Sequence, residues 1–425
     1  MRSRPRWAEL ALAFVLAGCA SEAGETGDAG NDDGSTMPTG TLAPPPSSEV
    51  ATSSTAAGTT GTDSASSTAP GTTAAATTSA TVDLSTRAPL EELARIDGFL
   101  VAMAFQGDAL LFTEKTGTVY RLAPGATELE AWLRIDDVRA GGEQGLLGIA
   151  VDPTDPTGVT VFVTQGQGDG RVNRVLRYTD TGTGLDPESV VTLLEIPREG
   201  DDLECTNHNG GNIHYGPDGY LYVTVGEYGC TQEHAQDLES LKGKMLRIDP
   251  LTGAAAPDNP LGNEIWAYGL RNAFDFTFDT VTGSLWATEN GPGCNDELDI
   301  VAAGQNYGWP EQRCADTPGV APIWIWENPV ALTGIAIYDG PALPEGAGAS
   351  ALVCDYNTGS LRVLPMDTGR AGVIDEAAYL PGGQHCFTDI LAAPDGSILF
   401  LDAGPESSVL WRLNSAAAWG EPTGQ

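Results

Sequence analysis

The sequence predicts an all-β chain folded as a six-bladed β-propeller. Three observations carry that expectation. A unit made of a short apolar strand, a turn or excursion, and an alternating strand recurs six times. The units lie about 40 to 65 residues apart, which suits propeller blades better than a large sandwich. Amphipathic helices are few, with Asp237–Lys242 expected only as a short helical turn.

The chain opens with Arg2, Arg4 and Arg6, then the mostly apolar Trp7–Val15, then Leu16-Ala17-Gly18-Cys19. A basic start before so short an apolar run reads as a signal peptide over 1–18, not a membrane span. Its ending resembles a bacterial lipobox, so cleavage before Cys19 and a lipid on that sulfur are expected. This places the protein in the bacterial cell envelope, facing the periplasm or on the outer membrane, which Ala20 after the cysteine favours. From Ala20 to about Arg87 the composition is Thr, Ser, Ala, Gly and Pro, including Pro44-Pro45-Pro46. Such a stretch buries too little apolar surface to offset its ordering entropy, and reads as a linker over 19–87. Residues 88–415 are then the propeller and 416–425 a tail.

Within the propeller, Ala109–Glu114 with Thr118–Leu122 is the first unit, and Val161–Thr164 with Arg174–Tyr178 the second. The third is Leu221–Thr224 with Lys244–Ile248, and the fourth Ser284–Thr288 with Glu297–Val301. Ala351–Cys354 with Ser360–Leu364 and Ile398–Leu401 with Val409–Leu413 complete the six. Turn signals such as Pro217-Asp218-Gly219 and Pro394-Asp395-Gly396 precede several of them. The long excursions belong at one face and around the central channel, where propellers bind ligands.

Net charge and cysteines limit the function. A net charge of −37 excludes a nucleic-acid partner, which requires a basic face. It also disfavours adsorption to anionic lipid, so membrane contact is expected through the lipid anchor only. With Cys19 lipidated, six cysteines remain: Cys205, Cys230, Cys294, Cys314, Cys354 and Cys386. An even set in an exported chain suggests three disulfides out of fifteen possible connectivities. Nearest-neighbour pairing is the expectation, and the spacing matches no usual zinc pattern.

Four stretches could carry chemistry. His208-Asn209-Gly210-Gly211 puts an imidazole on a glycine-rich bend before an apolar strand, and imidazole exchanges a proton near neutral pH. Gly141–Ala150 is glycine-rich and contains Glu143-Gln144. Gly269-Leu270-Arg271-Asn272 ends in a cation and an amide. Thr288–Glu297 sets carboxylates beside Gly291-Pro292, hard oxygen donors of the kind calcium prefers. Taken singly, each has a purely structural explanation: inter-blade bends, a surface ion pair, a solvated acidic turn. His214 is expected as a packed histidine and His234 as an exposed one. Trp324 and Trp326 suit either sugar stacking at the channel mouth or blade packing.

Together and in order, these stretches and Gly304–Pro310 resemble the pyrroloquinoline quinone (PQQ)-dependent glucose/sorbosone dehydrogenase family. That family includes bacterial aldose sugar dehydrogenases and Hedgehog-interacting-protein-like propellers. The resemblance covers about Gly98 to Leu413 and implies a six-bladed propeller. It implies that His208 is the general base for a sugar C1 hydroxyl and that Gln144 lines the substrate and quinone site. Arg271 and Asn272 would bind PQQ. Gly291 and Pro292 would hold a catalytic calcium through main-chain carbonyls, with Glu297 and the Tyr307 carbonyl at a second calcium site. The electron acceptor would be a separate membrane-bound or soluble partner.

The sequence departs from the family pattern where PQQ carboxylates are gripped. Asn357 or a near neighbour stands where the fifth blade would supply a lysine, and His385–Ile390 contains no arginine where an Arg-x-Arg would precede the last blade. Arg362 and His385 are the candidates to compensate. Asn207 precedes His208 where some members have aspartate, which removes one possible partner for the imidazole. Two functions follow. One is an exported quinoprotein oxidising an aldose or related polyol at C1 with PQQ and calcium. The other is a non-catalytic, calcium-stabilised propeller that binds carbohydrate or protein. A hydrolase has less support, because the chain lacks a nucleophile elbow.

Overall fold

The computed structural model describes residues 87–423 apart from 169, 312–313, 315–318 and 405. The expected signal peptide, Cys19 and almost all of the linker lie outside the described residues.

Twenty-four strands form six antiparallel four-stranded sheets. Blade I is Leu100–Gln106, Ala109–Glu114, Thr118–Leu122 and Glu130–Arg134. Blade II is Leu146–Val151, Gly158–Gln167, Gly170–Asp180 and Leu185–Arg198. Blade III is Gly210–Tyr215, Leu221–Val225, Lys244–Ile248 and Ile265–Tyr268. Blade IV is Ala273–Phe278, Leu285–Glu289, Asp296–Ile300 and Trp324–Trp326. Blade V is Leu332–Tyr338, Ser350–Asp355, Leu361–Pro365 and Ala377–Tyr379. Blade VI takes Ile390–Ala392, Ile398–Ala403 and Ser407–Leu413 from the end of the chain and Leu90–Asp97 from its start. That last pairing closes the ring and leaves no open edge between first and last blades.

Each repeat unit read from the sequence is the second and third strand of one blade. Those strands read clearly because each is flanked within its sheet and packed on both faces, so the second strand of each blade is an almost continuous apolar run. Five of the innermost strands carry a register shift against their neighbour, and two outermost strands span only three residues, so neither shows a clear period.

The core is not one body but six apolar layers, one between each pair of blades. Phe162 and Val175 of blade II meet Ile213, Val223 and Leu246 of blade III. Trp286 and Leu298 of blade IV meet Ile335 and Val353 of blade V. Leu399 and Leu401 of blade VI meet Leu110 and Phe112 of blade I across the closure. Each fully buried aliphatic or aromatic side chain here contributes about 1.5–3 kcal/mol. Carboxylates on the innermost strands add staples between blades. Asp389 of blade VI accepts the Met103 amide of blade I at 2.7 Å. Asp275 of blade IV accepts the Ile335 amide of blade V at 2.9 Å and the His214 ring of blade III at 3.1 Å.

Several local expectations are settled by packing. The disulfides are Cys205–Cys230, Cys294–Cys314 and Cys354–Cys386, with Cα separations of 5.7, 5.7 and 5.0 Å. His214 is packed edge-on to Phe276 at 4.8 Å. Trp326 is 7% exposed, and Trp324 packs against the same layer between blades IV and V, on an outer strand. Three expectations are corrected. The helical turn is Gln232–Ala235, not Asp237–Lys242. His234 is half-buried, because its ring sits 3.4 Å from Asp202. Residues 416–423 are not a loose tail: Trp419 is 2% exposed and donates to the Ala342 carbonyl at 2.6 Å.

Candidate active site

The bend at His208 is built by glycines that nothing else can replace. Gly210 and Gly211 have φ of 57° and 94°. A Cβ on Gly211 would meet Leu147 at 2.7 Å and Phe162 at 2.8 Å. His208 itself sits at φ 52°, a left-handed conformation that costs energy for a non-glycine residue. Both its main-chain groups are tied down. Its amide donates to Glu143 Oε2 at 2.7 Å, and its carbonyl accepts the Tyr228 amide at 3.1 Å. The Cys205–Cys230 disulfide joins the His208 loop to the loop that follows the second strand of the same blade.

That second loop supplies the carboxylate partner that Asn207 does not. Glu227 is fully buried, and its Oε1 lies 2.8 Å from His208 Nδ1. Burial by itself would raise the Glu227 carboxyl. The His208 charge and hydrogen bond, Arg271 and the Gly229 amide outweigh it and hold the group below its ordinary value. An ionised Glu227 fixes the hydrogen on Nδ1 and leaves Nε2 with the lone pair. The strand register accounts for this contact. Gly210 faces Val225 across the blade III hairpin, so the residue two before Gly210 faces the residue two after Val225.

His208, Arg271, Asn272 and Gly291 come together on one cavity that is partly open to solvent. Asn272 is its main connector. It donates to Glu143 Oε2 at 3.1 Å and accepts the Gly210 amide at 3.1 Å. Arg271 donates to the Asn290 carbonyl at 2.9 Å and lies 5.3 Å over the Trp309 ring. Its Nε is a buried donor with no protein partner. The amides of Arg271 and Asn272 both rest on Glu289 Oε1, at 3.0 and 2.7 Å.

Gln144 does not line this cavity; its neighbour Glu143 does. The Gln144 side chain points into the protein at 1% exposure, and its Oε1 accepts from Arg171 at 3.3 Å. Nor do the two candidate compensating groups reach the cavity. Arg362 is bound to Asp355 and Glu376 within blade V. His385 lies flat on Phe387 at 5.0 Å and 3.8 Å from Asp402. Asn357 is exposed and donates to the Pro329 carbonyl. Besides Arg271, the cavity is lined by a second cation, Lys115 of blade I, which follows the second strand and was not a candidate on sequence. Burial lowers its ammonium to about 8, against the pull of Glu143 and Glu114. Its Nζ donates to the Gly142 carbonyl and stands 5.6 Å over the Phe99 ring.

A second cavity adjoins the first and is lined by Gly291, Pro292, Glu297 and Tyr307, with Arg271, Asn290 and Gly291 shared between the two. Burial pushes Glu289 up to about 8, opposed by the Asn272 amide. Burial and the Asp296 charge push Glu297 up to about 7. Among the described residues, Glu289 Oε2 and both oxygens of Asp299 are buried acceptors with no hydrogen-bond partner. Clustered carboxyls that burial alone disfavours as anions fit a hard cation that would hold them ionised. Among the described residues no three side chains converge as a ready ligand set, so main-chain carbonyls would have to share in the coordination.

The sequence profile of the Glucose / Sorbosone dehydrogenase family matches residues 99–411. The chain belongs to that family. It is 26% identical over 328 residues to the aldose sugar dehydrogenase YliI of Escherichia coli, covering 71% of this chain and 86% of the relative. The solved PQQ-bound aldose sugar dehydrogenase of Streptomyces coelicolor is 28% identical, with a TM-score of 0.64 over 76% of this chain and 96% of that one. A shorter match, 34% identical over 163 residues, is to the HIPL2 protein of Arabidopsis thaliana, covering 32% of this chain and 23% of the relative. Within a family of sugar dehydrogenases, the cavity bounded by His208, Asn272 and Arg271 is the place to seek an oxidoreductase centre acting on CH–OH groups.

Proposed function

We propose that this protein is an exported, lipid-anchored quinoprotein that oxidises an aldose or related polyol at C1 with PQQ and calcium. The observation that carries the reading is the His208–Glu227 pair on the cavity wall. A sugar hydroxyl placed at Nε2 gives up its proton to a ring already oriented from the other side, and the buried Glu227 stabilises the imidazolium that results. Glu143 and Asn272 fix the His208 backbone and offer an acceptor and a donor to neighbouring hydroxyls.

The residues present fit the cofactor. PQQ is a planar tricarboxylate; Arg271 supports it with an unpartnered buried Nε, and Lys115 with a second positive charge. When bound, the quinone supplies the two-electron acceptor and calcium the Lewis acid that polarises it. Gly291 and Pro292 carbonyls would hold that calcium, and Glu297 with the Tyr307 carbonyl a structural one. The electrons then pass to a separate acceptor. Reconstitution of the disulfide-bonded protein with PQQ and calcium, followed by dye reduction over a panel of aldoses, tests the reading. Failure to bind PQQ at micromolar concentration with the fold intact would sink it.

One observation favours the non-catalytic alternative. The cavity wall from blades V and VI is uncharged, where the active pattern expects a lysine and an Arg-x-Arg. Under that reading the same cavity binds carbohydrate or protein without turnover, and the reconstituted protein reduces no dye with any aldose.

A further inference from the structure

The loop that carries His208 and the loop that carries Glu227 meet on a buried polar cluster, no member of which lines the cavity. At its centre is Arg198, the last residue of the outermost strand of blade II, and fully buried. Its Nη1 donates to Oδ1 of Asn209, the residue after His208, at 2.6 Å. Its Nη2 donates to the Cys205 carbonyl of the same loop at 3.0 Å. The guanidinium lies 3.9 Å over the ring of Tyr228, the residue after Glu227. Asn173 of blade II, also buried, donates to the Tyr228 hydroxyl at 2.9 Å. The Asn209 side chain closes its own turn by donating to the Thr206 carbonyl at 2.9 Å, and its carbonyl accepts the Gly226 amide at 3.1 Å.

A cation in that place is costly. Burial pulls the Arg198 guanidinium below its ordinary value, and the Asp202 and Glu143 charges oppose that only from a distance. Its Nε is a buried donor with no hydrogen-bond partner. A buried cation that no carboxylate touches is less favourable than a methionine packed in the same space. What a guanidinium adds is a planar fork for oxygens together with a flat face for a ring. Arg198 uses the fork on the His208 loop and the face on the Glu227 loop. Both loops need holding. His208 and Tyr228 have φ of 52° and 75°, left-handed conformations that persist in non-glycine residues only when their surroundings impose them. Relaxation of either residue would carry the imidazole away from Glu227 Oε1, which lies 2.8 Å from its Nδ1.

We propose that Arg198 is a positioning residue for the proton acceptor. From outside the cavity it clamps Asn209 and Tyr228, and through them it keeps the His208 and Glu227 side chains in hydrogen-bonding register. It governs proton abstraction and leaves the binding of sugar and quinone to other groups. The effect on turnover rests on the dehydrogenase reading, whereas the geometry of the pair does not.

The test compares wild type with Arg198→Met on the full disulfide-bonded protein, with two readouts. The first is downfield proton NMR, which needs no turnover. The His208 Nδ1 proton bonded to Glu227 should resonate far downfield, and His208→Ala identifies it by its loss. Arg198→Met should abolish or broaden that resonance. The second is dye-linked kinetics after reconstitution with PQQ and calcium. There kcat should fall by on the order of 10²-fold, while sugar KM and PQQ affinity stay within about two-fold. Thermal melts check that the variant folds. If it does not, Asn209→Ala, which cuts the shortest of these contacts, should weaken the resonance and lower kcat by a smaller factor. A folded Arg198→Met variant that keeps the resonance and wild-type kcat overturns the proposal and leaves Arg198 a stabilising residue only. A wild type without the resonance overturns it too, as does a PQQ affinity that falls in step with kcat. A resonance lost in Arg198→Met, with a PQQ-loaded wild type that oxidises no sugar, supports the positioning role and counts against the dehydrogenase reading alone.

Discussion

Lys115 and Tyr356 occupy the same position in two blades. Each is the first residue after its blade's second strand, and each amide donates to the residue before the innermost strand: Lys115 to Phe99 and Tyr356 to Ala331. Both line the cavity. Blade I places a cation there, and blade V an aromatic ring. The same hairpin opening in blade III carries His208 and Glu227, and in blade IV Arg271, Asn272, Asn290 and Gly291. The chemistry of this propeller is thus concentrated where each blade's first hairpin opens at one face. Backbone register fixes the positions, and the side chain chosen at each decides what that part of the wall recognises.

This contrast leads to tests in order of effect. His208→Ala removes the proton acceptor and should lower kcat by about 10²- to 10⁴-fold, measured by dye reduction, with PQQ still bound. Glu227→Gln should lower kcat by on the order of 10²-fold with KM almost unchanged, because the carboxylate acts on the imidazolium formed in the transition state. Arg271→Met should weaken PQQ binding by about 1.5–3 kcal/mol, roughly 10- to 100-fold by fluorescence titration. If Arg271→Met leaves affinity intact, the charged wall does not hold the cofactor.

Lys115 gives the contrast a pH dependence. Its ammonium is lowered from 10.5 to about 8 by burial, so the positive charge is present below that pH and lost as pH rises through it. Affinity for an anionic ligand should therefore fall between about pH 7 and 9, and Lys115→Met should be weaker throughout and lose that fall. The reverse experiment is Asn357→Lys, which adds a cation to the uncharged side. It should tighten PQQ binding only a few-fold, since the position is exposed and a solvated charge contributes about 1 kcal/mol at most.

The fold was readable because the second and third strands of each blade form an apolar pair that recurs six times. The six units and the ring they imply followed from those strands, while the three disulfides matched a nearest-neighbour pairing that cysteine order left as one of fifteen connectivities. The innermost strands were less readable, since bulges and glycines break their period, as at Gly210 to Ile213. On the candidate site, His208, Arg271, Asn272 and Gly291, singled out by their motifs, share one cavity. Gln144 was displaced by one residue. In the turn before blade II, Glu143 faces the channel while Gln144 faces the protein, and residue type alone cannot decide which of two adjacent polar side chains faces in. Glu227 and Lys115 carry no motif. They are functional candidates only through the residue they face across a hairpin, which requires the register. Arg362 appeared available in the sequence, but two carboxylates in its own blade hold it.

The account rests most heavily on His208 as a proton acceptor in a working dehydrogenase. The most direct measurement is dye-linked oxidation of aldoses by the disulfide-bonded protein reconstituted with PQQ and calcium, wild type beside His208→Ala. The account predicts turnover in the wild type and its loss in the variant with PQQ binding retained. PQQ-loaded wild type that oxidises no sugar, or a His208→Ala variant as active as wild type, would contradict it.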